Sequence, residues 1–131
     1  MIFGIGIDIV ETARFKKWIY NPNMISRFFN KKEMYSGPHD PAHEGAACQH
    51  YAARFAAKEA FSKALGTGIS GFELSDVFIE KKSSGKPELR VENSARKLLE
   101  TRCRNANILV TLSHEKSCAV ACVIIEIEKN L

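Results

Sequence analysis

The chain opens on an apolar run, Ile2 to Val10, with β-branched residues at alternate positions. That alternation predicts a buried strand. Gly4 and Gly6 weaken it and point to close backbone approach. A short helix is predicted over Glu11 to Tyr20, with Thr12 near its cap, and a second from Pro22 to Phe29. Asn30, followed three residues later by Glu33, reads as a capping box that opens a third. The turn-rich stretch 36–45 separates this region from a long alanine-rich helix, Ala46 to Leu65, which Gly66 stops. Strands are predicted over 75–82 and 87–91, joined through Ser83 to Lys86. An amphipathic helix follows over Ser94 to Arg104, then two strands, 107–114 and 117–128, turning at Glu115-Lys116. Strand, helices, hairpin, helix, hairpin in that order predicts one α+β domain over 1–131, a mainly antiparallel sheet packed against the long helix.

Composition narrows the class. With 131 residues, 45% hydrophobic and 26% charged, the chain is sized for one soluble domain. No stretch approaches the ~20 apolar residues of a membrane span, and the start lacks the basic region of a signal peptide. A cytoplasmic protein is expected. Cys48, Cys103, Cys118 and Cys122 match no disulfide framework or zinc spacing. A helical ligand set of His114, Cys118 and Cys122 conflicts with the strand pattern over 117–128. The net charge of +4 is localised: residues 11–33 hold six basic side chains against two acidic, and the remainder balances. Such a patch suits an anionic partner, though a solvated helical face has the same pattern.

Candidate chemistry lies at a few positions. Asp8 sits inside an apolar run, where a carboxylate needs a partner, a set of backbone donors or a cation. Glu59 lies mid-helix among Phe55, Ala56, Ser62 and Lys63, either in an ion pair with Lys63 or sharing a hard cation with Asp8. Arg54, Lys58 and Lys63 share that helix, and Gly66-Thr67-Gly68 follows it, a combination that suits phosphate as well as an ordinary helix end. Gly85-Lys86-Pro87 and Ser113-His114 mark a hairpin turn and a strand end. The Gly4-x-Gly6 pair lacks the third glycine of a dinucleotide-binding strand, and no Gly-Lys-Ser/Thr phosphate loop occurs.

Taken together, GIGIDIVE at 4–11, FNKKE at 29–33, RFAAKEAFSKALGTGI at 54–69, SGKPEL at 84–89 and LSHEKSCAVA at 112–121 resemble the holo-acyl-carrier-protein synthase group of 4′-phosphopantetheinyl transferases, in order and over nearly the full chain. The resemblance implies Mg²⁺ held by Asp8 and Glu59, and coenzyme A contacts at Lys63, with Lys58 adding positive charge. It implies further nucleotide contacts at Gly66, Thr67, Gly68, Gly85, Lys86 and Pro87. Ser113 and His114 would come from a neighbouring subunit of a homotrimer, and Arg14, with Lys17 on the same predicted helix, would contact the acyl carrier protein. It implies transfer of phosphopantetheine to a carrier serine in fatty acid biosynthesis, with Glu59 (through water) or His114 as the base. Two departures stand out: Asn30 replaces a frequent Ser or Thr, and 36–50 matches no family pattern. The rivals are a transferase serving a carrier of another pathway and a nucleic-acid-binding module. The second lacks any recognition motif.

Overall fold

The computed structural model describes residues 1–128. Three strands form one antiparallel sheet, β1 (Ile2–Glu11), β4 (Ala106–His114) and β5 (Cys118–Ile127), in the order β1-β5-β4. β2 (Val77–Lys81) and β3 (Pro87–Val91) form a separate two-stranded hairpin. The helices are α1 (Pro22–Phe28), α2 (Glu44–Leu65) and α3 (Asn93–Arg102). The expected α+β class is observed, with the strands divided between two antiparallel sheets.

α2 lies against the inner face of the three-stranded sheet. Val10 of β1 and Ala119, Ala121, Val123 and Ile125 of β5 are buried there with Ala52, Ala56, Ala57, Ala60 and Ala64 of α2. Small side chains on the helix let its backbone approach the sheet. Gly66, at φ 85°, takes the left-handed conformation that ends α2 as the sequence predicted. The alternation along β5 also explains its long apolar stretch. One set of residues fills the core, while Val120, Cys122 and Ile124 lie on the other face in register with Ile9, Ile7 and Ile5 of β1.

The predicted helix over 11–20 is replaced by two 3₁₀ turns, Thr12–Phe15 and Trp18–Tyr20. Thr12 does not cap a helix. Its amide donates to Ser117 O at 3.0 Å and its hydroxyl to Lys116 O at 2.8 Å, tying it to the β4–β5 turn. Phe15 and Trp18 then turn inward onto Phe28, Phe29 and Phe55. The Asn30–Glu33 capping box forms, but it opens only the single turn Lys31–Glu33, after which Met34 is extended, and the Glu33 carboxylate is also bound by interior groups.

Candidate active site

The site begins with two glycines. A Cβ on Gly6 would lie 2.0 Å from Ala60 O, and one on Gly4 would lie 1.9 Å from Ala64 O. Only glycine lets the β1 backbone rest on α2 at that distance. The close approach predicted from Gly4 and Gly6 is therefore present, and it carries Asp8 to the flank of α2 that holds Glu59 and Lys63. The Lys63 ammonium donates to Ile7 O at 3.0 Å and to Asp8 Oδ1 at 3.1 Å. Glu59 is half-buried. Burial first, and then the charge of Asp8, push its pKa above the usual carboxylate value, against the opposing pull of Arg14 and Lys63.

Two carboxylates that repel each other in a partly desolvated seam suit a hard cation, which relieves that repulsion. Among the described residues no cluster of three or more His, Cys, Asp or Glu side chains could hold a metal. Asp8 and Glu59 would therefore supply two ligands, leaving the rest to water and phosphate oxygens, the usual manner of Mg²⁺. The set of His114, Cys118 and Cys122 forms no such cluster, and the two cysteines lie on strand β5.

Arg14 stands at the rim of this seam. Its guanidinium lies 4.7 Å from the centre of the Phe55 ring and 5.7 Å from that of Trp18, a cation–π contact that orders an exposed side chain. Lys17 is exposed between the two 3₁₀ turns. The two residues are near in sequence, but the shared helical face expected for them does not exist.

Lys58 departs from expectation. Its side chain is 0% exposed, and its ammonium donates to Glu33 Oε1 at 2.6 Å, to Leu74 O at 3.0 Å and to Val77 O. All three donors are used, so none is left for a phosphate at the surface. Although Lys58 and Glu59 are consecutive, they leave α2 in different directions, one into the interior and the other toward Asp8. The glycine loop follows α2 directly, with Gly66 and Gly68 exposed. The amides of Gly66 and Thr67 both donate back to Ser62 O, closing α2, and the Thr67 hydroxyl donates to Gly68 O.

The remaining candidates fall elsewhere. Gly85 and Pro87, at the hairpin turn, line a cavity of about 390 Å³ with His114. Lys86 is exposed on the same turn, and Ser113 is exposed in register with Val120 and Ile9, on the sheet face turned away from α2. β5 separates β1, which carries Asp8, from β4, which carries His114, so one chain holds these groups apart. The cavity also gathers Arg54, named above among the phosphate candidates, together with His50, Gln49 and Lys81, which were not among the candidates. Arg54 Nε is buried without a hydrogen-bond partner, while Nη1 donates to His50 O at 3.2 Å. Burial lowers the His50 pKa to about 4, so the ring is neutral at pH 7. The four-residue spacing of His50, Arg54 and Lys58 was the available signal. A larger cavity of about 820 Å³, lined by Ile9, Thr12, Lys16, Cys48 and Lys116 among others, holds none of the predicted site residues.

Known proteins place this arrangement in a class. The family model of the 4′-phosphopantetheinyl transferase superfamily matches residues 4–122, and the chain belongs to that superfamily. It is similar to the holo-[acyl-carrier-protein] synthase of Treponema denticola, with 44% identity over 126 residues, covering 96% of this chain and 99% of the relative. A solved holo-(acyl-carrier-protein) synthase from Bacillus anthracis, in complex with CoA (3′,5′-ADP), has 31% identity and a TM-score of 0.76, covering 98% of this chain and 99% of the other. The Helicobacter pylori holo-[acyl-carrier-protein] synthase, solved in complex with coenzyme A, has 27% identity and a TM-score of 0.74, covering 93% and 99%.

Proposed function

We propose that this protein transfers the 4′-phosphopantetheine group of coenzyme A to a serine of apo acyl carrier protein, releasing adenosine 3′,5′-bisphosphate. The observation that carries the reading is the seam between β1 and α2, where Asp8, Glu59 and Lys63 meet in a chain of the phosphopantetheinyl transferase superfamily. The carrier is taken to be that of fatty acid biosynthesis, and the enzyme to work in the cytoplasm. Among the described residues no helix is long and apolar enough to cross a membrane.

The serine oxygen attacks the phosphorus next to the pantetheine. The bond from that phosphorus to the bridging oxygen breaks, and the bisphosphate leaves. Such a reaction requires charge neutralisation and alignment. Asp8 and Glu59 would hold Mg²⁺, which would supply positive charge to the pyrophosphate when bound. Lys63 holds Asp8 in place and presents an ammonium, half exposed, to the same phosphates. The serine proton passes to Glu59 through water or to His114, and the nucleotide lies toward Gly85, Lys86 and Pro87. Arg14 and Lys17 meet the acidic carrier.

A homotrimer unites the two halves of the site. Ile5, Ile7 and Ile9 are 64%, 61% and 66% exposed on a sheet face that continues through Val120, Cys122 and Ile124 to Leu109. An apolar face of that kind supports burial against other copies of this chain. Ser113 lies on it, which supports a contribution of a neighbour's β4 to the site.

Incubating the protein with coenzyme A, Mg²⁺ and apo carrier proteins of fatty acid, polyketide and peptide synthesis tests the proposal. Intact mass should show addition of phosphopantetheine to the fatty acid carrier, and no addition when its acceptor serine is alanine. An unmodified carrier would refute the reading. Preference for another carrier would shift the pathway and keep the chemistry.

A further inference from the structure

The Glu33–Lys58 pair is the most completely enclosed polar cluster among the described residues, and the proposed reaction does not use it. Both side chains are 0% exposed. Glu33 Oε1 accepts from Lys58 Nζ at 2.6 Å and from the Asn30 amide at 3.0 Å, and Oε2 accepts from the Ile79 amide at 3.1 Å. Lys58 also donates to the carbonyls of Leu74 and Val77, and the Glu33 carbonyl meets His50 Nε2. Three separate pieces of chain are thereby fastened to one point on α2: the turn at 30–33, the approach to β2, and β2 itself.

Stability alone is a poor reason for such a cluster. Well-packed apolar residues of similar volume often match or exceed a buried ion pair. What directional bonds give is a defined geometry. The apolar contacts of α2, from Ala52 and Ala60 to Phe55, Phe61 and Leu65, carry no directional bonds of their own, so this cluster is what adds a defined bonding geometry to the helix. Glu59 follows Lys58 directly. Turning α2 by about 15° moves a side-chain tip that lies about 6 Å from its axis by about 1.5 Å. Displacements of that size cost up to about a hundredfold in rate.

We propose that Glu33 and Lys58 are positioning residues for the transfer: by fixing the rotation of α2 they hold Glu59 at its working distance from Asp8. This rests on the transferase reading above.

Three variants test it. E33D keeps both charges and shortens the reach by one methylene. K58R keeps the charge and changes its geometry. E33Q/K58M removes both charges together. Folding is followed by near-ultraviolet circular dichroism, and kinetics are measured below each melting transition. Mn²⁺ binding in the presence of coenzyme A is measured by electron paramagnetic resonance. E33D and E33Q/K58M should be folded, with kcat lowered about tenfold, the carrier KM within about twofold of wild type, and Mn²⁺ affinity lowered several-fold. K58R should fall between them and wild type. Folded variants with wild-type kcat and Mn²⁺ affinity would overturn the proposal, leaving the pair a stability element. Failure of all three to fold would also overturn it, making the pair a folding determinant. If wild-type protein modifies no carrier, the transferase reading fails instead, so the two failures are distinct.

Discussion

α2 carries two ion pairs five residues apart, and they are built on opposite terms. Lys58–Glu33 is sealed, with both side chains 0% exposed and every lysine donor used. Lys63–Asp8 is open, with side chains 52% and 16% exposed, and it has Glu59 beside it, whose pKa burial and the charge of Asp8 raise despite the opposing pull of Arg14 and Lys63. A satisfied cluster is complete without a ligand. Two carboxylates at a water-accessible seam, only partly offset by Lys63 and Arg14, still have capacity for a cation. The same helix therefore has a structural side and a chemical side, and a change on each should fail differently.

The largest contrast comes from the carboxylates. Asp8→Ala and Glu59→Ala should each lower transfer by about 10²–10³-fold, the range for removing a preorganised electrostatic group, with the fold intact by circular dichroism. Glu59→Gln sharpens the point. The pKa of Glu59 is raised in the folded state, so that state holds its proton more tightly than the unfolded chain does. Its ionisation therefore costs stability as pH rises through the usual glutamate range and above it. Without metal at pH 7, Glu59→Gln should melt no lower than wild type. A clear fall in melting temperature would give Glu59 a structural role.

Lys58→Met reverses that pattern. It strands a buried carboxylate, and urea unfolding should show a loss of about 3–5 kcal/mol. A loss under about 1 kcal/mol would mean that the two pairs are not different in kind.

Lys63→Ala should cost little stability, because a half-exposed pair contributes at most about 1 kcal/mol. Calorimetry should show coenzyme A binding weakened about tenfold, as expected for one charge-assisted contact, with carrier binding unchanged. Unaltered coenzyme A affinity would reduce Lys63 to a partner of Asp8.

The smallest effect belongs to the basic rim. Arg14→Glu with Lys17→Glu should raise the carrier KM several-fold, leave kcat and coenzyme A binding near wild type, and flatten the salt dependence of KM. An unchanged carrier KM would move the docking surface elsewhere.

The contrast between the two pairs was only half legible in the sequence. Gly4 and Gly6 announced a backbone contact that only glycine permits, and Asp8 in an apolar run announced a carboxylate in need of a partner. Asn30 and Glu33 announced their capping box. The second engagement of Glu33 was hidden, because its partner lies 25 residues away. Lys58 was misread for a related reason. An amphipathic helix shows which side faces inward, but α2 is buried on several sides at once, from Ala52 and Ala56 to Phe55 and Phe61. Periodicity cannot orient such a helix, so neighbouring lysine and glutamate looked alike. His50 was missed, and Arg54 was grouped only with the phosphate candidates near the helix end, because their cavity exists only once the hairpin turn and the end of β4 fold over α2. The helix expected over 11–20 failed because Thr12 is bound to residues 116 and 117, a contact with no local signal.

Magnesium dependence of coenzyme A binding tests most directly the claim that Asp8 and Glu59 share a cation beneath the pyrophosphate. In titration calorimetry, wild-type affinity should fall at least about tenfold when Mg²⁺ is chelated, as expected when a divalent charge on the phosphates is lost. Glu59→Gln should bind weakly with or without the ion. Wild-type affinity indifferent to Mg²⁺, or a Glu59→Gln variant that still responds fully to it, would contradict the account.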